Sequence, residues 1–187
     1  MPSRGPNPTP IDRGQTFNLV QARAGLPSGP VTALVANPQN ATNCGALKDC
    51  TFYASVTSAS TPSATGVYVS HDSGQSWSAV FTSATLVSGG ANIITGATTY
   101  QLVPKLAAGP NGSVAIAIAQ VQSSPPQGDG QQLTGLYLSQ NGGGSWSALK
   151  VPDVNKGVMQ GAVNLALAID PKNSSIDIQP LMAAIRA

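Results

Sequence analysis

The sequence has no glutamate, only one histidine and unusually few charged residues. Charged side chains make up 9% of the 187 residues, whereas an average soluble domain has roughly 25%. Coiled coils and surface-charged helix bundles depend on many Glu and Lys residues, so this composition excludes them. A metal site built from several histidines is also excluded, because His71 is alone. We expect neither a metal nor a cofactor.

Long apolar runs and clusters of basic residues are absent as well. No apolar stretch reaches the ~18 residues that a membrane-spanning helix needs. The arginines lie near the two ends of the sequence and the lysines are scattered, so we predict no nucleic-acid partner. The first 14 residues lack the apolar segment that is typical of a signal peptide.

The two cysteines, Cys44 and Cys50, lie close together with five residues between them. This spacing allows a small disulfide loop, which would indicate an oxidising compartment. Free thiols are the alternative that the sequence leaves open. The pair does not predict a metal site, because His71 is the only further nitrogen or sulfur ligand of the usual kinds.

The prominent feature of the sequence is an internal repeat. Residues 66–80 read GVYVSHDSGQSWSAV, and residues 135–149 read GLYLSQNGGGSWSAL. A weaker repeat places a proline turn after an apolar stretch, at Pro38, Pro110 and Pro171. Together these spacings indicate a repeating unit of about 60–70 residues.

Each unit predicts four β-strands separated by turns that are rich in glycine, asparagine and serine. Large and small residues alternate in 114–119, which suits a strand whose sheet packs closely on another sheet. The predicted strands are 31–36, 51–57, 66–70 and 76–80 in the first unit, and 102–108, 114–121, 135–139 and 145–149 in the second.

Four-stranded sheets that repeat at a fixed period are typical of a β-propeller. We therefore predict an all-β fold, a partial β-propeller with two four-stranded antiparallel blades plus the start of a third. Because a propeller has roughly four to eight blades, we expect the chain to be a fragment. The expected division is an irregular segment over 1–30, blade one with its link over 31–101, blade two with its link over 102–162, and the start of blade three with a ragged tail over 163–187.

The third turn of each unit carries the pattern Ser-x-Asp/Asn-x-Gly-x-x-Trp. Its residues are Ser70, Asp72, Gly74 and Trp77 in the first copy, and Ser139, Asn141, Gly143 and Trp146 in the second. We name these copies the first box and the second box. The pattern resembles the Asp-box, or BNR repeat, found in sialidases, xyloglucan-degrading glycoside hydrolases, sortilin-type receptors and a photosystem assembly factor. The resemblance implies a propeller fold but no single activity.

The residue types of the box suit a hairpin turn. Asp72 can accept hydrogen bonds from turn amides, Gly74 can adopt a positive φ, and Trp77 can cover the turn. Asn141 keeps an acceptor without the charge, and three glycines follow it, so we expect a weaker and looser second turn. The resemblance implies that the box is structural, so His71 beside Asp72 is not expected to act as an acid–base pair.

The resemblance also implies that ligands bind at the end of the propeller opposite the boxes. Asp129 and Asp153 are the only acids in the loops predicted there, and they are weak candidates for a catalytic carboxylate pair. A sialidase would need an arginine cluster and typically a Tyr–Glu pair. The sequence has no arginine between Arg23 and Arg186 and no glutamate, which argues against sialidase activity.

Three functions are consistent with these observations. The first is a non-catalytic scaffold or interaction module of a larger protein, extracellular or in the cell envelope. The second is a part of a secreted glycoside hydrolase, xyloglucanase or sialidase-like, that acts on glycans. The third is a receptor or assembly factor that binds a protein partner. The sequence favours the first, because it has intact turns and no assembled catalytic set.

Overall fold

The computed structural model describes residues 24–38, 50–58, 60–83, 100–122, 131–150 and 166–170. They form an all-β fold with two short 3-10 helices, Pro62–Ala64 and Pro110–Gly112. The strands are β1 (Val31–Ala36), β2 (Phe52–Val56), β3 (Gly66–Ser70), β4 (Ser78–Thr82), β5 (Tyr100–Ala108), β6 (Val114–Gln122), β7 (Gln131–Ser139) and β8 (Ser147–Ala148).

The strands form two antiparallel sheets in which each strand pairs with its neighbours in sequence. Sheet one has the order β1-β2-β3-β4, and sheet two has the order β5-β6-β7-β8. The predicted pair of four-stranded antiparallel sheets is therefore confirmed. Within the described residues the two sheets do not close into a ring, and their arrangement as propeller blades stays a prediction.

Some strand boundaries differ from those predicted. β4 begins at Ser78 instead of residue 76, because the box turn extends through Trp77. β8 begins at Ser147 instead of residue 145 for the same reason. β7 begins at Gln131 instead of residue 135, because β6 is long enough to pair with these residues, with Val121 opposite Gln131.

Sheets one and two pack face to face around a shared apolar core. Alternate residues of a strand point to opposite faces, and the large residues Val114, Ile116 and Ile118 of β6 share one face. They pack in one buried cluster with Val67 and Val69 of β3. The alanines between them lie on the other face of β6 and are fully buried there. The predicted close packing of this alternating strand is confirmed.

Side chains of sheet one also hydrogen-bond to the backbone of β5. Thr32 Oγ1 donates to the carbonyl oxygen of Pro104 at 2.7 Å, and Ser55 Oγ donates to the same oxygen at 3.2 Å. Thr57 Oγ1 donates to the carbonyl oxygen of Leu102 at 2.9 Å. Ser55 and Thr57 are buried. Since a buried hydroxyl without a partner is costly, these bonds favour one relative position of the two sheets.

The face of sheet one that packs against sheet two is equivalent to the face of sheet two that lies away from sheet one. Val67 and Val69 of β3 face sheet two. Their counterparts in β7, Leu136 and Leu138, lie on the side of sheet two that faces away from sheet one, in clusters that include Leu167. Each sheet therefore presents an equivalent face to the unit that follows it.

Residues 166–170 belong to no strand and lie against this far face of sheet two. Ile169 is buried against Ala107 and Ala115. The rest of the predicted start of blade three, and residues 1–23 of the predicted irregular segment, lie outside the described residues. The division of the chain into blades therefore stays a prediction.

Candidate functional site

The first box forms the turn between β3 and β4, and the carboxylate of Asp72 is the centre of its hydrogen bonds. Asp72 Oδ1 accepts from the backbone N–H of Gln75 at 3.0 Å and of Ser76 at 2.8 Å, and Oδ2 accepts from Ser76 Oγ at 2.6 Å. Ser70 Oγ donates to Oδ1 at 2.8 Å and accepts from the N–H of Gly74 at 2.7 Å. A short side chain with acceptor oxygens orders turns in this way.

These donors hold the pKa of Asp72 well below its usual range, because they stabilise the charged carboxylate. The bonds from the side chain and backbone of Ser76 are the main cause, and the bond from Ser70 adds to them. Both oxygens of Asp72 accept hydrogen bonds from residues of the turn. The neighbouring His71 is exposed, and its Nδ1 lies 3.2 Å from Thr51 Oγ1.

Two consecutive residues of the first box have positive φ, Ser73 at 61° and Gly74 at 86°. Glycine adopts this conformation readily, whereas serine is strained there. Two hydrogen bonds to Cys50 hold Ser73: its N–H donates to the Cys50 carbonyl oxygen at 3.1 Å, and its Oγ accepts from the Cys50 N–H at 3.2 Å. The box and Cys50 therefore lie at the same end of sheet one.

Several residues named from the sequence lie outside the described residues. Asp129 and Asp153, the weak catalytic candidates, are among them, and the carboxylate pair stays a prediction. Cys50 is buried and disulfide-bonded. Cys44 is the only other cysteine in the sequence and also lies outside the described residues, so its pairing with Cys50 stays a prediction.

The second box forms the equivalent turn between β7 and β8, with an amide in place of the carboxylate. Asn141 Oδ1 accepts from the N–H of Ser145 at 2.8 Å and from Ser139 Oγ at 2.9 Å. Ser139 Oγ also accepts from the N–H of Gly143 at 2.8 Å. The direction of one bond is reversed: Asn141 Nδ2 donates to Ser145 Oγ at 3.0 Å, whereas Ser76 Oγ donates to the first carboxylate.

The tryptophans of the two boxes make different contacts. Trp77 Nε1 donates to the carbonyl oxygen of Gly74 in its own turn at 3.1 Å, so it covers the turn as expected. Trp146 Nε1 donates instead to the carbonyl oxygen of Val80 in sheet one at 2.9 Å. Its ring meets Phe81 edge-on, with the ring centroids 5.1 Å apart. Trp146 therefore joins the two sheets, a role that sequence reasoning missed.

The glycines of the second box lie against sheet one. A Cβ on Gly143 would come within 3.0 Å of Val80, and a Cβ on Gly142 would come within 3.3 Å of the Tyr53 hydroxyl. The Tyr53 hydroxyl also donates to the Gly142 carbonyl oxygen at 3.4 Å. The sequence predicts that this glycine run loosens the turn, and the structure shows that it also permits a close approach to sheet one. The glycine run itself is the only feature of the sequence that points to this contact.

The boxes show no metal-binding arrangement. The described part of the chain contains no group of three or more His, Cys, Asp or Glu that could hold a metal ion. Among the same residues, no helix has the length and apolar character needed to cross a membrane. Comparisons with protein-family models, curated proteins and solved structures found no match to this chain.

Proposed function

We propose that the chain is a non-catalytic segment of an Asp-box β-propeller, which acts as a scaffold or interaction module of a larger extracellular protein. The observation that supports this best is the stacking of sheet one on sheet two, together with the equivalent face that sheet two presents to residues 166–170. Units stacked head to tail build an extended array or a closed ring. A propeller is the ring form of such an array.

The hydrogen bonds of the boxes support a structural role over a catalytic one. A general base must reach the proton that it removes from a substrate. Both oxygens of Asp72 already accept hydrogen bonds inside the turn. If Asp72 removed a proton from a substrate, the residues of the turn would lose these bonds. Asn141 has no carboxylate to offer at the equivalent position.

The disulfide bond of Cys50 supports a location outside the cytosol. Disulfide bonds form and persist in oxidising compartments and are rare where thiols are kept reduced. An extracellular or cell-envelope location is therefore part of the proposal.

The test is an assay of glycan hydrolysis with a matched variant that lacks both loop acids. Xyloglucan oligosaccharides and sialylated glycans are incubated with the purified chain and with the double variant Asp129→Asn, Asp153→Asn, and released sugars are measured. We expect no product above the buffer control from either protein. Hydrolysis by the unmodified chain that the double variant lacks would overturn the proposal and favour the glycoside hydrolase alternative.

A further inference from the structure

The sequence contains two Asn–Gly steps, and one of them lies at the centre of the second box. They are Asn111–Gly112 and Asn141–Gly142. Asparagine followed by glycine is prone to deamidation, because glycine has no side chain to hinder attack of its backbone nitrogen. We propose that Asn141 is a modification site at which deamidation produces an aspartate that completes the second box. This inference rests on the geometry of the turn and is independent of the proposed function.

The reaction needs only water. The backbone nitrogen of Gly142 forms a bond to Cγ of Asn141, the Cγ–Nδ2 bond breaks, and Nδ2 leaves as ammonia after taking up the proton from the Gly142 nitrogen. One water molecule then opens the succinimide ring. Attack of water at Cγ restores the normal main chain and gives aspartate, whereas attack at the backbone carbonyl gives isoaspartate. In sum, asparagine and water become aspartate and ammonia.

The folded turn holds both reacting groups in place. The N–H of Gly142 donates to the carbonyl oxygen of Gly112 at 2.8 Å. The amide of Asn141 is held through its oxygen and its nitrogen by Ser145 and through its oxygen by Ser139. Ring closure requires that these bonds are released, so the rate of deamidation follows the population of the locally opened turn.

The aspartate product fits the turn that is already present. In the first box, Ser76 donates to Asp72 through both its N–H and its Oγ. Ser145 occupies the equivalent position, with its N–H 2.8 Å from Asn141 Oδ1 and its Oγ 3.0 Å from Asn141 Nδ2. A hydroxyl hydrogen rotates freely, so Ser145 Oγ can become a donor to a carboxylate oxygen without any movement of heavy atoms. Isoaspartate does not fit, because it lengthens the main chain in the middle of the turn.

The first measurement compares deamidation in the folded and the unfolded chain. The full chain is incubated at mildly alkaline pH with and without denaturing urea. Peptide mass spectrometry measures the conversion of Asn141 and, for comparison, of Asn111 at the other Asn–Gly step. We expect conversion at Asn141 to be slower in the folded chain by about tenfold or more, as local opening limits it. Equal rates in the two conditions, or no conversion in urea, would overturn the proposal.

The second measurement asks whether the product is accommodated. Thermal unfolding is compared for the unmodified chain, for Asn141→Asp and for the matched control Asn111→Asp, which makes the same change of charge outside the box. We expect Asn141→Asp to raise Tm and Asn111→Asp not to raise it. A lower Tm for Asn141→Asp, or an equal rise in both variants, would show that the second box does not favour an aspartate and would overturn the proposal.

Discussion

Trp77 and Trp146 occupy the same position in two similar turns, yet their indole N–H groups bind different partners. Trp77 binds a carbonyl oxygen of its own turn, and Trp146 binds one in the neighbouring sheet. The first box is thus stabilised by its own turn and by Cys50 at the end of sheet one, whereas the second box is also part of the contact between the sheets. One sequence motif can therefore order a turn within its own sheet or, where another sheet lies beside it, anchor two sheets together.

The two boxes also differ in charge and in glycine content. The first box has a carboxylate that accepts hydrogen bonds from Ser70, Gln75 and Ser76. The second has an amide and a run of glycines that approaches sheet one closely. Local hydrogen bonding is therefore stronger in the first box, and contact between sheets is greater in the second. Four pairs of variants test this division.

The largest expected difference is between the tryptophans. Trp146→Ala is expected to lower the free energy of unfolding by about 3 kcal/mol, because it removes a large ring from the contact between the sheets. Trp77→Ala is expected to lower it by about 1–2 kcal/mol, because it loosens only one partly exposed turn. Urea unfolding curves measure both losses. Equal losses would contradict the assignment of Trp146 to the contact between the sheets.

The next difference is between two glycines with positive φ. Gly143→Ala is expected to cost about 2 kcal/mol, since it adds a close contact with Val80 to backbone strain of about 1 kcal/mol. Gly74→Ala is expected to cost the strain alone, because its Cβ would meet Trp77 at an ordinary 3.6 Å. Unfolding in urea again provides the measurement, and a larger loss for Gly74→Ala than for Gly143→Ala would contradict the close contact with Val80.

A smaller difference is expected between the acceptor side chains, and it depends on pH. Asp72→Ala is expected to destabilise more than Asn141→Ala at neutral pH, because it removes a charged acceptor. The pKa of Asp72 is lowered on folding. Its contribution is therefore complete above the unfolded pKa of about 3.9 and is lost as the pH falls toward the folded value.

The matched control for this pH dependence is Asp72→Asn, which keeps an acceptor but cannot titrate. Stability is measured for the unmodified chain and the variant from neutral pH down to about pH 3. We expect the difference in the free energy of unfolding between the two proteins to narrow as the pH falls. A difference that stays constant would show that the charge of Asp72 does not stabilise the turn.

The smallest difference is expected between the serines that close each turn. Ser76→Ala removes a hydrogen bond to a carboxylate, and Ser145→Ala removes one to an amide. We expect losses of about 1 kcal/mol and about 0.5 kcal/mol respectively, since both sites are exposed and bonds to charged groups are stronger. Thermal unfolding ranks them, and a reversed order would argue against the carboxylate as the stronger centre.

Much of the fold follows from the repeat in the sequence. The two copies of the box fix the third turn of each unit, and the strand at 66–70 has the predicted bounds. Large and small residues alternate along β6, and this alternation predicts which residues lie on each face of the strand. The start of β7 was missed because residues 131–134 contain no strong strand pattern, and their pairing with β6 decides their conformation.

The site was predictable only where its contacts are local. The bonds of Asp72 to residues three and four positions later follow from turn chemistry. The bond of Trp146 to Val80 joins residues 66 positions apart and depends on how the sheets stack. Turn chemistry holds no information about such stacking, so this contact could not be predicted from the sequence.

The two units are stacked head to tail, with the second box resting on Val80 in the middle of β4. Nuclear Overhauser effects between assigned aromatic rings test it directly, because the sequence has only two Trp, three Phe and four Tyr residues. We expect cross-peaks from Phe81 to both Trp146 and Tyr137, whose ring centroids lie 5.1 Å and 4.9 Å away. Cross-peaks from Trp146 only to residues of its own turn, with none to Phe81, would contradict it.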